Sequence, residues 1–279
     1  MDESISERIS NTIDQLPERE RRAAQALVSD YPLAGLRTVA DFATRAGVSS
    51  PTILRFVAKL GFQNYAEFQS ALQIEVVQQL QSPLARAEKK PLANGDNDAE
   101  PYVDAIIENV RETFRHISNT DFNKLAALIA DGKRVYLIGG RFTDAVARYM
   151  TSHLRLIRND VQHVVGQEAN WRDHLVEMGR KDVLLVFDIR RYQDSLLEFS
   201  TAAASGGTSV ILFTDQWLSP IARVARHVVT ARTTVPSAWD SNTALFALVE
   251  ALTARVTARL GDKAAWRIAE VERLRGTKT

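Results

Sequence analysis

The sequence contains no cysteine among its 279 residues. This absence excludes disulfide bonds, thiolate metal sites and cysteine nucleophiles, and it fits a reducing compartment. Long apolar runs are also missing: the longest are strand-sized, such as VLLVF at 183–187, whereas a membrane helix needs roughly 20 apolar residues. The N-terminal stretch MDESISERISNTIDQLPERERR has acidic residues early and no apolar segment, which excludes a secretory signal. We therefore expect a soluble cytoplasmic protein without a membrane partner.

An excess of charge of one sign is missing as well, since 35 Lys and Arg residues stand against 34 Asp and Glu residues. This balance does not decide nucleic-acid binding, because binding depends on where the charges cluster. The five histidines show no metal-site spacing within a helix, and nothing resembles a Ser-His-Asp or P-loop arrangement. We predict no metal site and no cofactor.

A predicted linker divides the chain. Residues 82–101, SPLARAEKKPLANGDNDAEP, combine three prolines, an Asn-Gly pair and a mixed charge run without apolar periodicity. This composition is typical of a linker and not of a folded element. The division leaves units of residues 1–81 and 102–279, both within the usual domain range.

The N-terminal unit has the pattern of helices throughout. Ile5, Ile9 and Ile13 recur at four-residue spacing, which places them on one helical face. Further along, Ser50-Pro51 reads as a helix cap followed by a proline that starts a helix. The unit is predicted to contain five short helices and no strand.

The C-terminal unit alternates between strand and helix patterns. Segments with helical period, such as 143–157 and 193–205, separate continuous apolar runs. This alternation predicts a doubly wound α/β fold, in which helices cover both faces of a parallel sheet. The predicted strands are 134–140, 161–165, 182–189, 208–215 and 227–232.

Residues 39–62, VADFATRAGVSSPTILRFVAKLGF, have the features of a helix-turn-helix. That motif needs a small residue between its helices, a left-handed residue in the turn and an apolar anchor on the second helix. Ala43, Gly47 and Ile53 supply these in order. The residues expected to face the core are Ile53, Phe56, Val57 and Leu60.

The opposite side of this segment carries chemistry suited to DNA. Arg55 can reach a guanine edge bidentately and Lys59 a phosphate, while hydroxyls at a helix N-terminus can hold phosphates. The alternative is a pair of solvated helices in a small bundle. The candidate DNA-binding residues are Arg37, Arg45, Ser49, Ser50, Thr52, Arg55 and Lys59.

Two resemblances sharpen this interpretation. The stretch TVADFATRAGVSSPTILRFVAKLGFQNYAEFQSAL resembles the helix-turn-helix of the RpiR (MurR/RpiR) family of bacterial transcriptional regulators. The C-terminal unit resembles the sugar isomerase (SIS) domain that these regulators carry as an effector sensor. The resemblance implies an all-α helix-turn-helix domain followed by an α/β doubly wound, SIS-like domain. It also implies a regulator that binds operator DNA and responds to a small anionic metabolite.

The first predicted strand of the C-terminal unit ends in Gly139-Gly140-Arg141, shortly before Thr143 and a helix. In open α/β sheets ligands bind beyond the carboxyl ends of the strands. Glycines there admit a ligand to the backbone, the helix N-terminus favours an anion, and Thr143 can cap the helix or donate to the anion. A tight strand-to-helix turn is the alternative.

The sequence departs from the phosphate loops of sugar-phosphate sensors. The resemblance places Thr143 at the serine of a Gly-x-Gly-x-Ser loop, and it places residues 188–193, DIRRYQ, at a Ser-x-Ser-Gly-x-Thr loop whose hydroxyls hold the phosphate. None of those hydroxyls is kept, and Arg191 stands in place of the glycine. The resemblance therefore supports a regulator more strongly than it supports any particular sugar phosphate.

The substituted loop has two interpretations. In the functional one, Arg141, Arg190 and Arg191 bind an anionic or carboxylated metabolite while Asp188 orients one of them. In the structural one, Asp188 forms an ion pair with Arg190, Arg191 or Arg141. Ser219, which resembles the serine that opens a helix in SIS domains, is a further ligand candidate. Ser237, Trp239, Asp240 and Ser241, like Asp215, lie on stretches expected near the same mouth.

Catalysis and assembly remain alternatives to regulation. SIS domains occur in phosphosugar isomerases, but the possible acids and bases form no recognisable constellation, so we predict a protein that is not an enzyme. A single small helix-turn-helix buries little DNA surface, so we expect a homodimer or homotetramer. The acid and base candidates are Glu168, Glu250, His153, His163, His174 and His227. The residues that fit either a core or an oligomer interface are Ala244, Leu245, Leu248, Leu252 and Val256.

Overall fold

Helices form the N-terminal domain, as the apolar spacing predicts. The computed structural model describes residues 3–80, 82–89 and 99–276. Within 3–80 there are six α-helices, including a single turn that the sequence pattern does not reveal, and a 3₁₀ turn at Ile13–Gln15. The six helices are α1 (Ile5–Thr12), α2 (Glu18–Ser29), α3 (Leu33–Leu36), α4 (Val39–Ala46), α5 (Ser50–Lys59) and α6 (Tyr65–Leu80).

Capping fixes where the early helices begin. The Ser4 hydroxyl accepts a hydrogen bond from the Glu7 N–H and the Glu7 carboxylate accepts one from the Ser4 N–H, which together form a capping box. The Thr38 hydroxyl accepts from the Asp41 N–H in the same way at the start of α4. The apolar faces of these helices then bury one core, which includes Ile5, Ile9, Leu27, Ile53, Phe56 and Phe68.

The predicted linker is partly helical, so that prediction was wrong for its described ends. Residues Pro83–Lys89 form helix α7, and helix α8 (Ala99–Arg115) already begins within the segment. Proline is tolerated in a first turn, the Ser82 hydroxyl accepts from the Ala85 N–H at 3.0 Å, and the following residues are good helix formers. Residues 90–98 lie outside the described residues. The division into units 1–81 and 102–279 stays a prediction.

The C-terminal domain is the predicted doubly wound α/β fold. After α8 and α9 (Asn119–Asp131), five parallel strands form one sheet in the order β2-β1-β3-β4-β5. From β1 the chain first adds β2 on one side and then β3, β4 and β5 on the other, so the boundary between β1 and β3 is a topological switch point. The strands are β1 (Val135–Gly139), β2 (Val161–His163), β3 (Val183–Phe187), β4 (Ser209–Asp215) and β5 (His227–Ala231).

Helices cover both faces of the sheet, which explains its continuous apolar strands. Alternate strand residues point to opposite faces, so Leu185 and Phe187 join one core while Leu184 and Val186 join the other. The remaining helices are α10 (Asp144–Ile157), α11 (Glu168–Trp171), α12 (Asp194–Ser205), α13 (Thr243–Leu260) and α14 (Asp262–Leu274). The five residues of α13 that fit either a core or an oligomer interface are buried in the core of this domain. They are Ala244, Leu245, Leu248, Leu252 and Val256.

The two domains are in direct contact. Leu218, from the segment after β4, packs into the core of the N-terminal domain. Arg232, just beyond β5, forms a buried bidentate ion pair with Glu7 of α1, with Nε–Oε1 and Nη2–Oε2 distances of 2.6 and 2.8 Å. At the surface, Arg223 donates to Asp30 at 2.7 Å. The sheet domain and the helical domain therefore share both apolar and charged contacts.

Candidate functional site

Helices α4 and α5 form the predicted helix-turn-helix. Gly47 ends α4 with φ of +62°, the left-handed conformation that glycine adopts without strain. Ala43, the small residue of the motif, is buried, and Ile53, its anchor, is fully buried. The Phe42 and Phe56 rings meet edge to face at 6.4 Å, which fixes α5 against α4.

The open face of α5 differs from the prediction at one position. Thr52 is completely buried, so its assignment to the exposed side was wrong. Its hydroxyl lies 3.0 Å from the Ser49 hydroxyl and accepts from Arg55 at 3.3 Å, which positions these two side chains. Arg55 and Lys59 are on the solvent side, together with the exposed apolar side chain of Leu54.

Acidic residues outside the motif hold most of its cations, a feature that the local charge count misses. Glu20 of α2 lies 2.6 Å from Lys59 Nζ and 3.6 Å from Arg55 Nε, although its own carboxylate is almost buried. Arg45 pairs with Asp30 at 3.0 Å. In the sequence, the charged run ERERR at the start of α2 is the signal for these ion pairs, and the structure shows that α2 packs beside α5.

The remaining DNA-binding candidates lie around the helix ends. Ser49, and not Ser50 as predicted, occupies the N-cap position of α5, without a side-chain capping hydrogen bond, and is exposed; Ser50 is the first residue of the helix. Arg37 is an exposed residue at the end of α3, and its carbonyl accepts from the Tyr65 hydroxyl at 3.0 Å. The motif thus keeps six of its seven candidates at or near solvent.

A cleft of about 530 Å³ opens beyond the carboxyl ends of β1 and β3, where the fold predicts a ligand site. Six of the eight predicted ligand residues line it, while Gly139 and Ser219 do not. Helix α7 also contributes to the wall. The lining residues are Pro83, Arg86, Gly140, Arg141, Phe142, Thr143, Asp188, Ile189, Arg190, Arg191, Gln193, Ala238, Trp239, Asp240 and Asn242.

The turn between β1 and α10 is closely packed. A Cβ at Gly139 would lie 2.5 Å from the Asp144 backbone nitrogen, so only glycine fits there. The buried Thr143 hydroxyl donates to the Phe187 carbonyl at 2.5 Å and accepts from the Gly140 N–H at 2.9 Å. Its single proton is therefore committed to joining the ends of β1 and β3, and the turn interpretation describes this residue better than an anion contact.

Asp188 forms no ion pair with Arg141, Arg190 or Arg191, so the structural interpretation of the loop was wrong for Asp188. The Ser219 hydroxyl donates to the Asp188 Oδ2 at 2.5 Å, and both side chains are buried. Burial raises the pKa of Asp188 to about 7, although the hydrogen bond from Ser219 opposes the rise. Asp188 and Ser219 together link the ends of β3 and β4 under the cleft.

Arg190 is held by several partners. Its Nε donates to Asp240 Oδ2 at 2.7 Å, its Nη2 also donates to Asp240, and its Nη1 donates to the Gln78 carbonyl of α6 at 3.1 Å. Its guanidinium stacks on Trp217 at 4.2 Å from the ring centroid. Its backbone N–H donates to the buried Asp215, whose pKa burial raises to about 6. Arg190 therefore acts first as a structural clamp.

The other two arginines are open to the cleft. Arg191 is exposed and has φ of +59°, so the loop keeps the left-handed backbone that a glycine would take although it carries an arginine. Among the described residues its side chain has no ion-pair partner. Arg141 is exposed and stacks on Phe142 at 4.8 Å, and Phe142 meets Trp239 edge to face at 5.9 Å. Two available cations and an aromatic pair thus lie at the mouth.

The acid and base candidates lie outside the cleft. None of the following six residues lines it: Glu168, Glu250, His153, His163, His174 and His227. His163 pairs with Asp144 at 2.8 Å, and Glu250 accepts from the Tyr149 hydroxyl at 2.8 Å. Across residues 3–80, 82–89 and 99–276 there is no group of three or more His, Asp and Glu residues arranged for a metal ion. In the same ranges, no helix is both long and apolar enough to span a membrane.

Comparisons with known families match both domains. Residues 3–79 match the helix-turn-helix domain described as the rpiR family, and residues 128–255 match the SIS domain. The chain is 23% identical over 271 residues to the HTH-type transcriptional regulator HexR of Escherichia coli (strain K12), covering 93% of this chain and 90% of HexR.

Two solved structures share the fold. The sugar isomerase domain of an RpiR transcription factor from Sphaerobacter thermophilus aligns with a TM-score of 0.60 and 23% identity, covering 64% of this chain and 99% of that one. The Vibrio vulnificus NanR protein complexed with ManNAc-6P aligns with a TM-score of 0.57 and 14% identity, covering 97% of both chains. The second alignment includes both the helical and the sheet domain.

Proposed function

We propose that this chain, which belongs to the RpiR family of transcriptional regulators, couples operator binding by its helix-turn-helix to the binding of an anionic sugar metabolite in its SIS domain. The observation that carries the proposal is the pairing of an exposed cationic helix, α5, with a cleft whose mouth holds two available arginines. In this account α5 enters the major groove, where Arg55 contacts a base edge and nearby hydroxyls contact phosphates.

A sugar phosphate fits the cleft chemically. Arg141 and Arg191 offer planar donors that a phosphate or carboxylate accepts bidentately. The exposed rings of Phe142 and Trp239 give the apolar face of a sugar a surface to pack on. The NanR relative is complexed with the sugar phosphate ManNAc-6P, which supports the same ligand class for this chain.

The proposal extends to the setting of the protein. We infer a cytoplasmic homodimer or homotetramer that binds paired half-sites, because a single helix-turn-helix contacts too few base pairs for tight binding.

We also infer that the chain catalyses no isomerisation. Asp188 is the one cleft residue whose pKa would suit acid–base work, and its carboxylate is directed to Ser219. An assay of aldose–ketose interconversion with hexose phosphates tests this inference, and turnover at enzymatic rates contradicts it.

The ligand assignment is tested by Arg191→Gly. Glycine adopts φ of +59° without strain, so this variant removes a cation while it preserves the loop backbone. We expect it to bind hexose 6-phosphates, measured by isothermal titration calorimetry, on the order of 10-fold more weakly than the wild type. The matched control is Arg111→Gln on α8, which removes an exposed arginine that pairs with Glu108. Equal affinity of Arg191→Gly and wild type would remove Arg191 from the site.

A further inference from the structure

Three charged side chains meet where helix α7 borders the cleft. The Asp240 carboxylate accepts from Arg190, as described above, and its Oδ1 also accepts from Arg86 Nη1 at 3.1 Å. All three side chains are at least 85% buried. The two guanidinium groups therefore share the Asp240 carboxylate in a poorly solvated place. Burial, followed by the charge of Arg190, lowers the pKa of Arg86.

The two arginines are not equivalent. Arg190 uses three of its nitrogens, two on Asp240 and one on the Gln78 carbonyl, and its plane rests on Trp217. Arg86 uses one nitrogen, and it is one of the residues that line the cleft. An arginine has five N–H donors. Arg86 is therefore the member of the pair that has donors to offer to a ligand.

Arg86 also holds helix α7 in place. In the part of the chain that the structure describes, its bond to Asp240 is the side-chain hydrogen bond between α7 and the sheet domain. Leu84, the large apolar residue of α7, is 71% exposed and contributes little packing. Helix α7 follows α6 of the DNA-binding domain after a few residues. A change at Arg86 therefore acts on the segment that leads directly to the helix-turn-helix domain.

We propose that the Asp240 carboxylate and the effector anion compete for Arg86, so that effector binding transfers Arg86 from Asp240 to the effector and releases helix α7. This inference rests on the proposed function, in that it requires an anion in the cleft. It assigns Arg86 as an effector contact contributed from outside the sheet domain, and it names Asp240 as the internal competitor. Asp240 and the effector anion both bind the single Arg86 guanidinium, which gives the differential contact that coupling requires.

The test uses the full chain, Asp240→Asn, Arg86→Gln and the control Arg111→Gln, with hexose 6-phosphates as probes. Isothermal titration calorimetry measures affinity, and hydrogen exchange measures protection of the amides of residues 84–89. Removing the competitor should make Asp240→Asn bind on the order of 10-fold more tightly, and removing the shared cation should make Arg86→Gln bind on the order of 10-fold more weakly. The control should behave as wild type.

Hydrogen exchange separates this inference from the proposed function. Asp240→Asn should exchange the amides of α7 faster than wild type without any probe, and a bound hexose 6-phosphate should have the same effect on wild type. Unchanged exchange in Asp240→Asn, or unchanged probe affinity in Arg86→Gln, overturns the inference. A wild type that binds none of the probes contradicts the proposed function instead, and exchange in Asp240→Asn still decides whether Asp240 holds α7. Circular dichroism confirms that each variant is folded.

Discussion

Breaking the buried ion pair between Glu7 and Arg232 should strongly destabilise the contact between the two domains. Both side chains are at least 90% buried, and the pair is bidentate, with nitrogen–oxygen distances of 2.6 and 2.8 Å. Arg232→Met removes the cation, so the buried Glu7 carboxylate loses both of its hydrogen bonds from the guanidinium. Removing one member of a buried pair costs about 3–5 kcal/mol, because the remaining charge is not compensated.

The double variant Glu7→Gln/Arg232→Met makes this prediction specific. With both charges gone, no uncompensated ion remains, so most of the loss should be recovered. Arg22→Met is the matched control, since it breaks an exposed pair with Glu18 on α2 and should cause no measurable change. Urea unfolding followed by tryptophan fluorescence and circular dichroism gives the free energies of unfolding. A loss below about 1 kcal/mol for Arg232→Met, or a double variant as unstable as the single one, would refute the reasoning.

Three further predictions concern the separate sites. Glu20→Gln should raise affinity for random DNA and steepen its salt dependence by up to about one unit of slope, because Lys59 loses its carboxylate partner; fluorescence anisotropy over a salt series checks this, and an unchanged slope contradicts it. Asp188→Asn should flatten the pH dependence of the free energy of unfolding. Because the folded-state pKa of Asp188 is raised to about 7, the contribution of Asp188 to this free energy is complete below about pH 4 and is lost as the pH rises towards 7. Urea midpoints from pH 4 to 8 measure this, and an equally steep decline in the variant argues against it. Gly139→Ala should destabilise by about 1–3 kcal/mol, because its Cβ would collide with the backbone of Asp144; an unchanged unfolding midpoint would show that the turn can shift.

The positions of the strands and of the helix-turn-helix follow from local patterns, and this is why both could be predicted. A strand buried on both faces must be apolar at every position, as VLLVF of β3 is, and such a run is visible in one sequence. Gly47 and Ile53 were identifiable for a similar reason, since a left-handed turn and a buried anchor are requirements of single residues. The boundaries then shifted by one or two residues, as strand ends do.

The errors arose where a partner distant in sequence decides the outcome. Thr52 lies on the side of α5 that packs inward, and only the placement of the neighbouring helices reveals that. Both interpretations of the loop placed Asp188 beside a nearby arginine, but Ser219, 31 residues away, is its partner. Arg190 is clamped by Asp240, 50 residues away. The position of Arg86 in the cleft wall required knowing that α7 is a helix and where it docks.

Arg191 has a backbone conformation that the sequence does not suggest for an arginine. From the sequence, replacing a glycine by arginine suggests that the backbone of the phosphate loop is lost. In the structure Arg191 has φ of +59°, at a cost that is typically about 1–2 kcal/mol for a residue other than glycine. A strained residue at the mouth of a cleft is consistent with selection for its side chain.

The central claim, that α5 reads operator DNA, is tested most directly by one comparison. The wild-type chain first selects its own binding fragment from genomic DNA, and the affinities of wild type and Arg55→Ala for that fragment are then measured by fluorescence anisotropy at one fixed salt concentration. The account predicts that Arg55→Ala binds the fragment more weakly by about 1–3 kcal/mol while its affinity for random DNA changes much less. Equal affinity of the two proteins for the selected fragment would contradict the claim.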